Sequence, residues 1–195
     1  MTALDKTLLE RVARCIAQPG SASPTGVRTS ILKQAASSYG VRPVFEEATV
    51  PTGFDPQAAV LFEAVVEAAF LVASCDGFFD EDERLAFESV VAEACDNSVQ
   101  VSQLDALVKD LWSQLSEDGI EKRTRTIGRT IRRRDHQLEV LRIGALIAHI
   151  SGGVSEHERS VLEQLARGFD LPGGSVDHAL MQAEAALQGA PSAAG

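Results

Sequence analysis

The sequence predicts an all-α protein, a compact helical bundle built from two pseudo-symmetric three-helix repeats with an N-terminal helical arm. Three observations carry this reading. Ala, Leu, Glu and Val dominate the 195 residues while aromatics make up only 5%, a balance that favours helix over strand. From residue 55 onward, apolar residues recur every three or four positions through long windows. An acidic corner at 73–84 also returns in altered form 75 residues later, at 148–159.

Taken in order, residues 4–17 place Leu8, Leu9, Val12, Ala13 and Ile16 at helical spacing, a short amphipathic helix. Pro19, Gly20, Pro24 and Gly26 then punctuate a linker. A second short helix is expected over 27–38, closing at Gly40, and Pro43, Pro51 and Gly53 make 41–54 extended or irregular. Residues 1–54 therefore read as an arm whose seat on the rest is open.

The domain proper is expected over 55–188. Asp55-Pro56 is a helix start with proline at the first helical position. Leu61, Phe62, Val65, Val66, Ala69, Phe70 and Val72 give that helix a wide apolar face, so it should lie centrally. Asp80 and Glu83 have capping-box spacing and open a helix through Leu85, Phe87, Val90, Val91 and Ala94. Asp96-Asn97-Ser98 ends it, and a third helix runs over 101–116 with Leu104, Leu107, Val108, Leu111 and Trp112.

The order then repeats, giving units at 55–117 and 130–188. Val65, Val66, Leu71 and Val72 map onto Val140, Leu141, Leu146 and Ile147. Gly77, Glu81, Glu83, Arg84 and Glu88 are identical at Gly152, Glu156, Glu158, Arg159 and Glu163. Between the units, 120–134 reads as helix weakened by Gly119 and Gly128, and 189–195 as a disordered tail.

Charge and cysteine usage narrow the function classes. A formal net charge of −10 argues against general DNA affinity, which rests on Lys and Arg at phosphates. Cys15, Cys75 and Cys95 are widely spaced and read as reduced thiols rather than a disulfide framework or zinc site. No basic, apolar leader opens the chain, and no uncharged run approaches the ~20 residues that cross a bilayer. The expected compartment is the cytoplasm, with peripheral association at the inner membrane face.

The corner offers Asp76, Asp80, Glu81, Asp82 and Glu83 within eight residues. Carboxylates this close repel one another, and a hard divalent cation relieves them. Asp76-Gly77, Phe79 and Glu83 fit positions five, six, eight and twelve of an EF-hand loop, but Val72 and Ser74 fall where its first ligands belong. A true EF-hand is excluded. The plainer account is structural: Asp-Gly makes the turn, and Asp80 with Glu83 caps the helix.

The duplicated pattern resembles the tellurite-resistance TerB-like family, whose hallmark is an Ala-x-x-Asp-Gly-x-(apolar)-x-x-x-Glu turn between helices. Ala73, Asp76, Gly77, Phe79, Asp80 and Glu83 match it; the second copy keeps Ala148, Gly152, Val154 and Glu158 but has Ser151 and Ser155 for the aspartates. The resemblance covers 55–188. It implies a helical bundle tied to tellurite and other stress responses, with a divalent cation held by Asp76, Asp80 and Glu83, and more weakly by Glu158. Loss of the second Asp directs any cation to the first turn.

A second feature is basic. Lys122, Arg123, Arg125, Arg129, Arg132, Arg133 and Arg134 carry seven positive charges with no acid among them, so the rest of the chain stands at −17. Such a segment suits an anionic membrane or an acidic partner, although no aromatic interleaves it as nucleic-acid binding prefers. The histidines (His136, His149, His157 and His178) are scattered without zincin spacing. No phosphate loop or nucleophile signature is present. The expectation is a non-enzymatic protein binding a divalent cation or a protein partner at the acidic turn, with docking through 122–134 as the alternative.

Overall fold

The most apolar helix organises the molecule. In a computed structural model, which describes residues 5–18, 29–41, 54–77, 79–150 and 153–189, α3 (Pro56–Ala73) buries Phe62, Val65, Val66, Phe70, Leu71 and Val72. It packs against α2 (Ile31–Tyr39), α4 (Glu81–Ala94), α5 (Val101–Thr130), α6 (Arg134–Ala148) and α7 (Glu156–Gly168). A helix apolar on all sides has no face suited to water, so it is enclosed by its neighbours. By length and composition α3 is also long enough to cross a bilayer, nearer that limit than a search for uncharged runs suggests. Here 61% of it is buried against other helices.

Among the described residues there are eight helices and no strand, and all eight, including α1 (Lys6–Ala17) and α8 (Ser175–Gly189), join one apolar cluster. The all-α class read from composition and periodicity is the fold observed. The first two helices, whose seat was open, belong to that core. Val12, Ala13 and Ile16 on α1 are fully buried, and α1 lies against α4, α6 and α8. On α2, Leu32 and Ala36 are buried and Tyr39 packs on Phe62 of α3 with ring centroids 4.6 Å apart. The Ile31 N–H donates to Glu139 Oε1 of α6 at 2.8 Å, so a distant acid caps α2 beside its own N-cap, Ser30.

Two glycines shape the middle of the chain. The helix expected at 101–116 and the one expected at 120–134 run on as α5, kinked at Gly119, where φ 71 and ψ 160 suit only glycine. Gly128 stays helical and has a different task. A Cβ there would collide with the carbonyl oxygen of Gly168, so its bareness lets α5 and α7 cross backbone to backbone. The chain then extends over 131–133 before α6 begins at Arg134, earlier than a helix through 134 would allow. Gly189 closes α8. The linker around 19–26, the irregular stretch beyond 41 and the tail from 190 lie outside the described residues.

Candidate functional site

The acidic turn begins where α3 runs out. Ser74 Oγ donates to Phe70 O at 2.8 Å, and Gly77 takes φ 81, the left-handed conformation that carries the chain out of the helix. Asp80 then caps α4 as its spacing predicts. Asp80 Oδ1 accepts from the Glu83 N–H at 2.9 Å, and Glu83 Oε2 accepts from the Asp80 N–H at 3.1 Å. Each side chain thus commits one oxygen to a backbone donor of the first turn. Glu81 and Asp82 follow in that turn, exposed, where the helix dipole favours negative charge.

The turn is also held by rings. Phe79 stacks on Trp112 of α5 (centroids 6.3 Å, planes 16° apart) and meets Phe70 edge-on at 5.4 Å. Arg84 donates to Asp105 of α5 at 2.6 Å and to the buried Glu88 at 2.8 Å, and Lys109 completes the set on Asp105 at 2.7 Å. Arg84 with Asp105 and Phe79 with Trp112 tie the first turn of α4 and the residue leading into it to α5. Trp112, which the sequence places on this helix with Leu104, Leu107, Val108 and Leu111, is 40% exposed while those four are buried.

The second turn repeats the cap with different chemistry. Ser155 Oγ accepts from the Glu158 N–H at 3.2 Å, and Glu158 Oε2 accepts from the Ser155 N–H at 2.7 Å. Glu158 is 7% exposed, whereas Glu83 in the first turn faces solvent. Glu158 lies close enough to Cys75 for its charge to act on the thiol. Burial, then Glu158, then Asp76 push the Cys75 pKa up to about 11, so the thiol stays protonated at neutral pH. Ser151 and Gly152, which the comparison of the two turns used, lie outside the described residues.

Asp76, Asp80, Glu83 and Glu158 were the residues expected to hold a divalent cation. Among the described residues, no three His, Cys, Asp or Glu side chains are grouped as an ion would require. Asp80 and Glu83 point to the cap, and Glu158 lies buried at the other turn. The described side chains therefore present no preformed cluster for a divalent ion.

The basic segment is largely answered by acids outside its span. Lys122 and Arg123 both reach Asp118, at 2.6 and 3.2 Å; Arg125 reaches Glu121 at 3.2 Å and Arg133 reaches Asp135 at 2.7 Å. Arg123 turns inward to Glu67 of α3, Nε to Oε1 at 2.5 Å. Arg134 donates to the Asp170 carbonyl at 3.1 Å and Arg132 to that of Arg129 at 3.2 Å. Arg129, Arg132 and Arg134 are exposed and have no carboxylate partner among the described residues.

Other buried polar groups were not singled out in the sequence. Arg142 of α6 is 7% exposed and donates to the Cys15 carbonyl near the end of α1 at 3.0 Å, and burial lowers its pKa. Its signal was an arginine among Val140, Leu141 and Ile143 in an apolar repeat. Cys15, Cys75 and Cys95 are free thiols, as expected for reduced cysteines.

A family model described as tellurite resistance protein TerB matches residues 62–182, from α3 into α8 and including both turns. No curated protein and no solved structure matches the chain.

Proposed function

We propose that this chain, which belongs to the tellurite-resistance TerB family, serves the tellurite and stress response as a non-enzymatic cytoplasmic protein that recruits a protein partner at its 76–83 turn. The observation that carries the reading is the division of labour among the carboxylates. Asp80 and Glu83 hold the cap, while Glu81 and Asp82 project from a corner braced by the Phe79–Trp112 stack. A rigid, charged, exposed corner loses little entropy on binding and selects partners by charge.

The test is resistance itself. A tellurite-sensitive deletion strain carrying Glu81→Lys/Asp82→Lys at wild-type abundance should remain sensitive, while the wild-type chain restores growth. Full restoration by the doubly reversed variant would remove the turn from the function. Melting with and without millimolar Ca²⁺, Mg²⁺, Mn²⁺ and Zn²⁺ separates a cation from a partner. A metal-dependent rise that disappears in Asp76→Asn would make the ligand a cation assembled by rearrangement of the turn.

A further inference from the structure

The exposed aromatic beside the turn specifies the partner more closely, on the premise that the turn is a partner site. Trp112 is the chain's single tryptophan. Phe79 covers one side of it and Phe70 meets it edge-on, ring centroids 6.0 Å apart, yet 40% of the residue remains in solvent. Rings fixed by neighbours have little rotamer freedom left to lose, which is why Trp so often anchors interfaces. On the adjoining helix Leu85 is 49% exposed and lies one helical turn after Glu81, on the same face.

The charge around these apolar surfaces has one sign. Asp80, Glu81, Asp82 and Glu83 stand in sequence at the start of α4, and among the described residues Arg84 and Lys109, the cations paired with Glu81 and Asp105, are both bonded to Asp105. An anionic lipid surface or a nucleic acid would be repelled here. A second copy of this chain offers less free charge, because four of the seven cations in its basic segment are already paired with its own acids.

We infer that the surface where the start of α4 meets α5 docks a basic segment of another protein, one that carries an apolar anchor. The anchor packs on Trp112, and flanking Lys or Arg side chains meet Glu81 and Asp82. Aromatic surface supplies affinity and the carboxylates supply orientation and salt-sensitive attraction.

Trp112 emission reports the docking directly. The full chain would be titrated with a synthetic Lys/Arg peptide of about twelve residues bearing two leucines one helical turn apart, and with its Leu→Gln counterpart. The leucine peptide should shift the emission to the blue and bind at least tenfold tighter than the glutamine one. Anisotropy of the labelled leucine peptide should show a tenfold or greater loss in Glu81→Gln/Asp82→Asn, at high salt, and in Trp112→Ala. Leu85→Gln, at an exposed position, covers the case in which Trp112→Ala fails to fold. Binding that needs the acids but neither the leucines nor Trp112 and Leu85 would overturn this inference and leave the partner site standing. No binding of either peptide would overturn it too. Binding indifferent to all of these changes would overturn both readings. A salt-sensitive dimer in sedimentation that Glu81→Lys dissolves would make the occupant a second copy.

Discussion

Arg123 of α5 donates to Glu67 of α3, Nε to Oε1 at 2.5 Å, with both side chains largely withdrawn from water at 13% and 9% exposure. The pair fixes the segment of α5 beyond the Gly119 kink onto the central helix. Burial raises the Glu67 pKa and the Arg123 bond draws part of that back. Removing one partner strands the other, so Glu67→Ala should cost about 3 kcal/mol. Replacing both, as Glu67→Leu/Arg123→Met, should cost clearly less. Urea denaturation of the two variants checks the order; a double variant weaker than the single one would refute the account.

Asp118 contributes with a defined pH sign. Its hydrogen bonds from Lys122 and then Arg123 hold its pKa below the ordinary carboxylate value. A depressed folded-state pKa adds stability that is complete above the unfolded value, about 3.9, and lost as pH falls through the folded one. Asp105 and Asp135 act in the same direction. Stability should therefore fall below about pH 4, and Asp118→Asn should shrink that fall. Melting curves from pH 6 to pH 2.5 measure it, and identical acid limbs in wild type and variant would count against it.

The two caps are expected to behave alike although their turns differ. Asp80→Ala and Ser155→Ala each remove a side-chain acceptor for a first-turn N–H and should each lower stability by about 1 kcal/mol. Glu81→Gln, which touches neither cap, should leave stability within about 0.5 kcal/mol. Denaturant midpoints of the three variants decide whether the fold uses the cap and leaves Glu81 to the surface.

Gly119 and Gly128 should fail for different reasons. Gly119→Ala has open space around its Cβ but a backbone that only glycine tolerates, a strain of about 1–3 kcal/mol. Gly128→Ala has ordinary helical geometry but no room against Gly168, and overpacking costs typically ~1–3 kcal/mol. Asn at 119 should fare no better than Ala, because the positive-φ conformation that Asn accepts has ψ near about +45° rather than the 160° found here. At 128 Asn should be worse than Ala, and thermal melts of all four variants would expose any other ranking.

Cys75 should be slow chemically. With its pKa pushed up to about 11, the thiolate at pH 8 is about a hundredfold scarcer than for an ordinary cysteine. Disulfide-exchange labelling of Cys75 in the native chain at pH 8 should lag the urea-unfolded chain by about tenfold or more, since the scarcer thiolate is also the more nucleophilic one. Glu158→Gln should recover only part of the difference, because burial is the larger cause. Equal native and unfolded rates would contradict the burial.

Much of this molecule was legible in one dimension. The helical class, the start at Asp55-Pro56, the cap pair Asp80 and Glu83 and the stop at Asp96-Asn97 (both at positive φ) depend on residues within a few positions of one another. Local spacing and backbone preference decide such features, so the sequence alone determined them, together with membership of a TerB-type family. What it could not determine needed residues distant in the chain. Whether α1 and α2 are an arm or part of the core depends on apolar faces finding α4, α6, α8 and α3. That Arg123 turns inward to Glu67 while Arg129 stays in solvent depends on which face of α5 meets α3. The same packing buries Glu158 yet leaves Glu83 exposed, and places Phe79 on a half-exposed Trp112. Burial and charge pairing are properties of three-dimensional neighbours, and only the tertiary structure supplies those.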